Sequence, residues 1–426
     1  MSTLPPPESG PSGCCAGMSR RGFLGVTLAG SVATFGSTIV ATSPRAVAAP
    51  LSTRGSLARA AAPADGVLVL VSLRGAADGL SLVVPHGDPV YRTARPSIGI
   101  ATDRLLCRDD MFGLHPALSP LAPMWRQGKL AAVHATGLPI ANRSHFSAME
   151  EIEDADPGSA ARVGWLNRML GTIGGSGTLE GVSIGGSGLP SAMVGPEPVL
   201  SLRSLEDSVI AGTDDDGRRA RALHTTWDDQ DGDLAEAFRR AMRATGELGA
   251  ARDLPDNSAR YPDTDLGRAL ASVSRTVTAD VGVRAVTVDS GDWDMHSGIG
   301  GPERGWFQGN AADLARSVAA FFADLGPAAE RVTLVTLSEF GRRVEENAGG
   351  GLDHGWGNVM LLAGAGVAGG RYYGRWPGLD QGHSADLAVT TDYRSVLSEV
   401  ITARMGASAA AVFPGFAPER IGAVKA

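Results

Sequence analysis

Four stretches of this 426-residue chain gather residues able to do chemistry. SEFGRRVEENAGGGLDHGWG, residues 338–357, holds Glu339, Arg342, Asp353 and His354 around a run of glycines. GDWDMHSG, residues 291–298, holds Asp292, Asp294 and His296, with Asp289 just ahead of it. NRSHFSAMEE begins with Arg143, Ser144 and His145 nearly adjacent, and RGAADG contains Arg74 and Asp78. Carboxylate and imidazole together suit Zn, Mn or Fe. Asp292 and His296 form a D-x-x-x-H pair, and three aspartates crowd beside that histidine within eight residues. Like charges gathered in this way need a cation or open solvent to screen them. Spacing alone leaves both readings standing, metal ligands or a polar loop with a surface histidine.

Ser144 has the type and place of a helix N-cap. A hydroxyl there can also face a phosphate or sulfate held by the free N–H groups of the helix. Neighbouring residues seldom hold the hydrogen bond of a nucleophile–base pair, so Ser144 and His145 are not read as a dyad. Arg74, Arg143 and Arg342 offer guanidinium forks matched to phosphate or carboxylate, or to a nearby Asp or Glu. Two other motifs fail their context. GAGVAGG, residues 364–370, contains G-x-G-x-x-G but opens no helix, and WDDQDGD, residues 227–233, puts Trp227 at the first ligand position of a calcium loop. His86, His115, His134 and His383 sit singly and read as structural, although His383 in QGHSAD is able to reach the site.

These residues need elements to position them. GVLVLVSL (66–73), KLAAVHA (129–135), VRAVTVDS (283–290), RVTLVTLS (331–338) and NVMLLAG (358–364) are apolar runs of strand length, with GVSIG near residue 181 a weaker one. Continuous apolar runs suit strands covered on both faces. Helical patterns alternate with them: residues 145–155, 163–173, 233–248, 264–277, 310–326 and 392–406. The alternation predicts a doubly wound α/β fold, a mainly parallel sheet between helices. Residues 195–262 are acidic and less patterned and read as a helical or loop insertion or cap. Ligands of such sheets bind beyond the carboxyl ends of the strands. The four stretches all follow strands, so one site fed by four strand ends is expected.

The amino-terminal 48 residues read as an export signal. Arg20-Arg21 precedes a short apolar, small-residue run, and Ala46-Val47-Ala48 fits a cleavage site, which is the pattern of a twin-arginine signal. Residues 49–64 read as a linker, and 65–426 as one domain. Cleavage after Ala48 removes three of 38 basic and one of 46 acidic residues, taking the net charge from −8 to −10 (35 basic, 45 acidic). Cys14 and Cys15 leave with the signal, and Cys107 alone allows no internal disulfide. The twin-arginine route carries folded proteins, which favours a metal or cofactor protein without requiring one. No basic cluster interleaved with aromatics is present, which argues against nucleic acid as a partner. The membrane enters only through the export machinery, and the destination is the periplasm or the outside of the cell.

Taken in order, LVLVSLRGAADGLSLVVP, GLHPALSPL, GKLAAVHATGLP, NRSHFSAMEEIE, GWLNRML, GDWDMHSG, SEFGRRVEENAGGGLDHGWGN and VAGGRYYG resemble the DUF1501 family over roughly residues 65–405. These are bacterial proteins, commonly exported by the twin-arginine route, of undetermined function. The family is similar in fold to the alkaline phosphatase and sulfatase superfamily. The resemblance implies an alkaline-phosphatase-like α/β sandwich and a metal-hydrolase site. It implies Ser144 as nucleophile, Arg342 as oxyanion holder, and Asp78, Asp292, His296, Glu339 and His354 as ligands of a divalent metal (Zn, Mn, Ca or Fe). The chain departs from the superfamily pattern in two places: Asp78 comes four residues after Arg74, and Glu339-Phe340 stands where Asp-His is expected. One metal, a different metal or a degenerate binding site all remain open. The first functional expectation is an exported metal-dependent hydrolase acting on a phosphate or sulfate ester. The second is a non-catalytic exported binding or assembly protein on the same scaffold. A periplasmic redox protein is favoured by the export route alone.

Overall fold

Strand β1 (Val67–Leu73) is buried along its whole length. Alternation sends Val67, Val69, Val71 and Leu73 into one apolar core and Leu68 and Leu70 into another. A strand that feeds two cores must be covered on both faces. The structure, a computed structural model, describes residues 66–425 except 157–161, 176, 187, 211, 213–216 and 302. Upstream it describes only an antiparallel strand pair, Ser31–Thr34 with Ser37–Val40. The rest of the export signal and the linker lie outside the described residues.

The elements that matter follow in chain order: β2 (Leu130–Gly137), α1 (His145–Asp154), α2 (Trp165–Ile173), β3 (Gly181–Ile184) and β4 (Val199–Leu202). Then come α3 (Arg218–Trp227), α4 (Asp233–Glu247), α5 (Asp265–Thr278), β5 (Ala285–Ser290) and α6 (Trp306–Asp324). The last are β6 (Val332–Leu337), β7 (Asn358–Gly364) and α7 (Tyr393–Val400). The main sheet has nine strands; along it run Tyr372–Tyr373, β2, β7, β6, β1, β5, β3 and β4, while Thr391–Asp392 also pairs with β2. β7 runs antiparallel to both β6 and β2, whereas the other pairings are parallel. Leu270 and Val273 of α5 and Leu314 and Val318 of α6 fill the first core. Ile152 of α1, Leu166 and Met169 of α2, and Val396 and Val400 of α7 fill the second. The expected mainly parallel sheet between helices is therefore what the chain forms. Among the described residues no helix is long and apolar enough to cross a membrane.

The segment 195–262, read from sequence as a helical or loop insertion or cap, also contains a strand. β4 lies inside it and pairs in parallel with β3 at the edge of the main sheet. Ala244, Leu248 and Ala251 belong to the first core. Only α3, which buries no side chain, behaves as an appended helix. The strand was hidden because VLSL is four residues long and sits among loops.

The reversed strand decides where the site can form. Asn358, the first residue of β7, pairs with Thr136 near the carboxyl end of β2. Residues just before β7 are thus delivered to the same edge as residues just after β1, β2, β5 and β6.

Two of the single histidines are core residues. His115 Nδ1 accepts the Ala117 N–H at 2.9 Å and caps a helical turn, while His134 stacks on Phe112 with ring centroids 4.4 Å apart. Burial pushes both imidazoles down to about 4. The unfolded chain takes up these protons near the ordinary 6.5, the folded chain only near 4. Their contribution is therefore complete above pH 6.5 and is lost as pH falls toward 4. We expect denaturant-unfolding free energy to fall by up to about 2.7 kcal/mol per pH unit inside that window, two protons at about 1.36 each. His115→Gln should flatten the slope by roughly half.

Candidate metal centre

Three histidines and one aspartate meet beyond the strand ends: His145, His296, His354 and Asp294. His145 opens α1, after the loop of residues 138–144 that follows β2. Asp294 and His296 follow β5 in an extended stretch whose alternation buries Trp293 and Met295 and turns the polar residues outward. His354 arrives from the loop ahead of β7 and bridges Arg342 of the same loop.

The spacing of the four atoms is informative. His354 Nε2 lies 2.9 Å from His145 Nε2 and 2.8 Å from His296 Nε2. Asp294 Oδ1 lies 3.5 Å from His145 Nε2, 3.1 Å from His296 Nε2 and 3.6 Å from His354 Nε2. A tetrahedral ion with bonds of about 2.0–2.1 Å has ligand atoms about 3.3 Å apart. The five distances scatter around that edge length.

His354 Nδ1 faces the Arg143 carbonyl at 2.9 Å, an acceptor only, so Nδ1 carries the hydrogen and Nε2 a lone pair. His145 Nδ1 faces Glu339 Oε1 at 2.8 Å, and His296 Nδ1 faces Asp353 Oδ1 at 3.5 Å. Each imidazole thus turns Nδ1 to an oxygen and Nε2 to the common point. An outward Nδ1–H···O partner is what fixes the tautomer and orientation of metal-bound histidines.

The partners are held in turn. Burial alone would raise the Glu339 carboxyl, but the bond from His145 and several backbone N–H groups outweigh it and keep it below its ordinary value. Gly75 N–H donates to Glu339 Oε1 at 2.9 Å, and Ser338 Oγ donates to Leu73 O at 2.8 Å. Glu339 in return raises the His145 pKa, whereas burial lowers that of His354. Against the upward push of burial, Arg342 holds the Asp294 carboxyl below its usual range.

Glycines allow the loops this close. Gly75 has φ +106°, and a Cβ on it would lie 2.5 Å from the Asp294 nitrogen. A Cβ on Gly351 would lie 2.3 Å from the His296 carbonyl. Asn347 completes the clasp, donating to His296 O and Asp353 Oδ1 at 2.9 Å each.

The expected site residues divide. His296 and His354 stand in the cluster, and Glu339 stands behind His145. Asp78 does not reach it: its two oxygens grip buried Arg95 at 2.5 and 3.0 Å. Asp292 has a left-handed backbone, φ 64°, which turns the chain just before the extended stretch and leaves Asp292 lining the cleft while Asp294 takes the ligand place. Arg342 is a brace and not a free clamp. It is buried and donates to Ala76 O, Leu352 O, Gly75 O and Asp294 Oδ1 at 2.7, 2.9, 2.6 and 2.6 Å. Arg143 pairs with Asp386, and Arg74 lies between Glu153 and Asp289 at 2.8 Å from each. Ser144 caps α1 in position only; its side chain makes no capping bond. Exposed His383 pairs with Glu345 at 3.0 Å, outside the cluster. His145 and Asp294 were the cluster residues missed. The available signal was the Asp-x-His spacing in a segment alternating with Trp293 and Met295.

Beside the cluster opens a cleft of about 780 Å³. Phe146, Met149 and Leu189 form an apolar wall, and Asp289, Asp292 and Asp294 an acidic one.

Fold and site together define an α/β protein with, among the described residues, one candidate His₃Asp metal centre at the carboxyl edge of its sheet. The chain belongs to DUF1501, a family of proteins of unknown function, whose family model matches residues 66–400. A comparison with curated proteins finds no match. The matched span includes every residue of the cluster and its braces.

Two substitutions test the supports. Glu339→Gln keeps the shape but removes the charge behind His145, and zinc affinity by competition with a chelating dye should fall roughly 10–100-fold. Gly351→Ala should destabilise the fold by about 1–3 kcal/mol in denaturant titrations and weaken the same zinc affinity, because the His296 backbone must move.

Proposed function

We propose that the protein is an exported hydrolase dependent on one divalent metal ion held by His145, Asp294, His296 and His354. One observation carries the reading: three imidazole nitrogens and a carboxylate oxygen converge within 4.8 Å of one another beside an open cleft. Three imidazoles and one carboxylate favour Zn, Mn or Fe over Ca, which prefers all-oxygen shells. Such an ion polarises an ester and makes a nearby hydroxyl easier to deprotonate. Ser144 supplies that hydroxyl in this proposal. It is exposed, uncommitted to capping, and one residue from ligand His145.

The reading keeps an alkaline-phosphatase-like scaffold but only one metal. Asp78 is spent on Arg95, and Phe340 packs on His145 and His354, ring centroids 4.9 and 5.0 Å away. The substrate is better an uncharged or cationic ester than a phosphate or sulfate. Arg74 is bracketed by two carboxylates, Arg342 is buried, and the cleft wall is acidic.

The non-catalytic alternative has its own support. Four protein ligands fill a tetrahedral shell, as in structural zinc sites, where catalytic sites keep one position open. A panel of neutral, cationic, phosphate and sulfate aryl esters separates the two. We expect the zinc-loaded protein to cleave a neutral or cationic ester, chelation to abolish it, and Ser144→Ala to lower kcat by more than about 100-fold without loss of zinc. Bound zinc with no turnover of any ester would favour the binding protein.

A further inference from the structure

A second cleft, of about 610 Å³, lies beside the edge strand Tyr372–Tyr373 and the amino half of β2. Arg108, Arg126 and Arg371 line it from three separate segments, with Trp125 and Tyr372 as aromatic wall. In a chain with 46 acidic against 38 basic residues, carboxylates are in surplus. Around the metal centre that surplus is used, and Arg74, Arg342 and Arg343 each hold an ion pair. Around this cleft it is not. Among the described residues the Arg108 side chain forms no ion pair and gives one hydrogen bond, to Thr102 O at 3.1 Å, while the Arg126 and Arg371 side chains have neither. Asp109 also lines the cleft, its Oδ1 accepting from the Met111 and Phe112 N–H groups at 2.8 and 2.6 Å, so three guanidinium groups face one carboxylate there.

The frame behind the arginines is fixed. Tyr372 Oη donates to Cys107 O at 2.9 Å, tying down the turn that carries Arg108. Gly128 N–H donates to Trp125 O at 3.0 Å, closing the chain just after Arg126. Ala132 N–H donates to Arg371 O at 3.3 Å. The Trp125 and Tyr372 rings pack with centroids 4.6 Å apart, and Phe112 lies 5.4 Å from Tyr372. Like charges held together on a rigid frame repel until an anion arrives, and guanidinium forks match the oxygens of phosphate or carboxylate.

We propose that this cleft binds a small, multiply charged anion carried on a planar group, a phosphorylated or carboxylated aromatic compound. Phenylphosphonate, which cannot be hydrolysed, is a suitable probe, and chelator in the buffer keeps it from the metal centre. Calorimetry on the full chain measures its binding. Iodoacetamide labelling of Cys107, read by peptide mass mapping, locates it, since Cys107 lines the same cleft. At about ten times its Kd, the probe should slow Cys107 labelling roughly tenfold. An Arg126→Glu, Arg371→Glu double variant should lose both heat and protection while keeping its melting temperature and zinc uptake. Inorganic phosphate should bind more weakly, and benzylamine not at all. No heat with phenylphosphonate, or binding that survives in the double variant, would overturn the proposal.

Discussion

His354 Nε2 sits within 2.9 Å of two other imidazole nitrogens, and each of the three rings turns Nδ1 outward to an oxygen, so that in the neutral tautomers these partners favour, three lone pairs face one another. Lone pairs brought so close repel, and Asp294 adds a negative oxygen to the group. A cation at the centre would turn that repulsion into attraction. The surrounding architecture reads as the means of holding four donors in this arrangement. The antiparallel course of β7 brings His354 to the edge where β1, β2, β5 and β6 end, and glycines at 75 and 351 let the loops touch backbone to backbone.

Two buried charges of opposite sign keep those loops in register. Glu339 receives hydrogen bonds from the loop after β1 and from α1. Arg342 donates to the loop after β1, to the 352 carbonyl of its own loop, and to Asp294 from the loop after β5. Buried charges are costly unless fully bonded, and a partner left alone costs about 3–5 kcal/mol. Here each is bonded several times over, so the price falls on precision: the ligands cannot drift without breaking these bonds. The same loop that looked like a substrate clamp is the brace of the candidate metal centre.

Much of this was legible in the chain. Continuous apolar runs between helical patterns gave the α/β sheet, and four strand-following polar stretches pointed to one edge. His296, His354 and Glu339 were readable because each lies in such a stretch. Asp294 and His145 were not, for physical reasons. A D-x-x-x-H template assumes a regular backbone, yet the left-handed turn at Asp292 resets the alternation so that Asp294 faces the histidines. His145 looked like a neighbour of Ser144, and only the bond to Glu339, 194 residues away in sequence, gives it its role. Asp78 misled because its partner Arg95 is unremarkable in sequence and decisive in space. Short β4 and the reversal of β7 depend on pairing, which periodicity does not encode.

The central claim is the identity of the four donors. X-ray absorption at the zinc edge on the zinc-loaded full chain tests it most directly. The account predicts about four nitrogen or oxygen neighbours at about 2.0–2.1 Å with the outer-shell pattern of three imidazoles, and a loss of one imidazole in His145→Ala. A spectrum with fewer than two imidazoles, or one unchanged by His145→Ala, would contradict it.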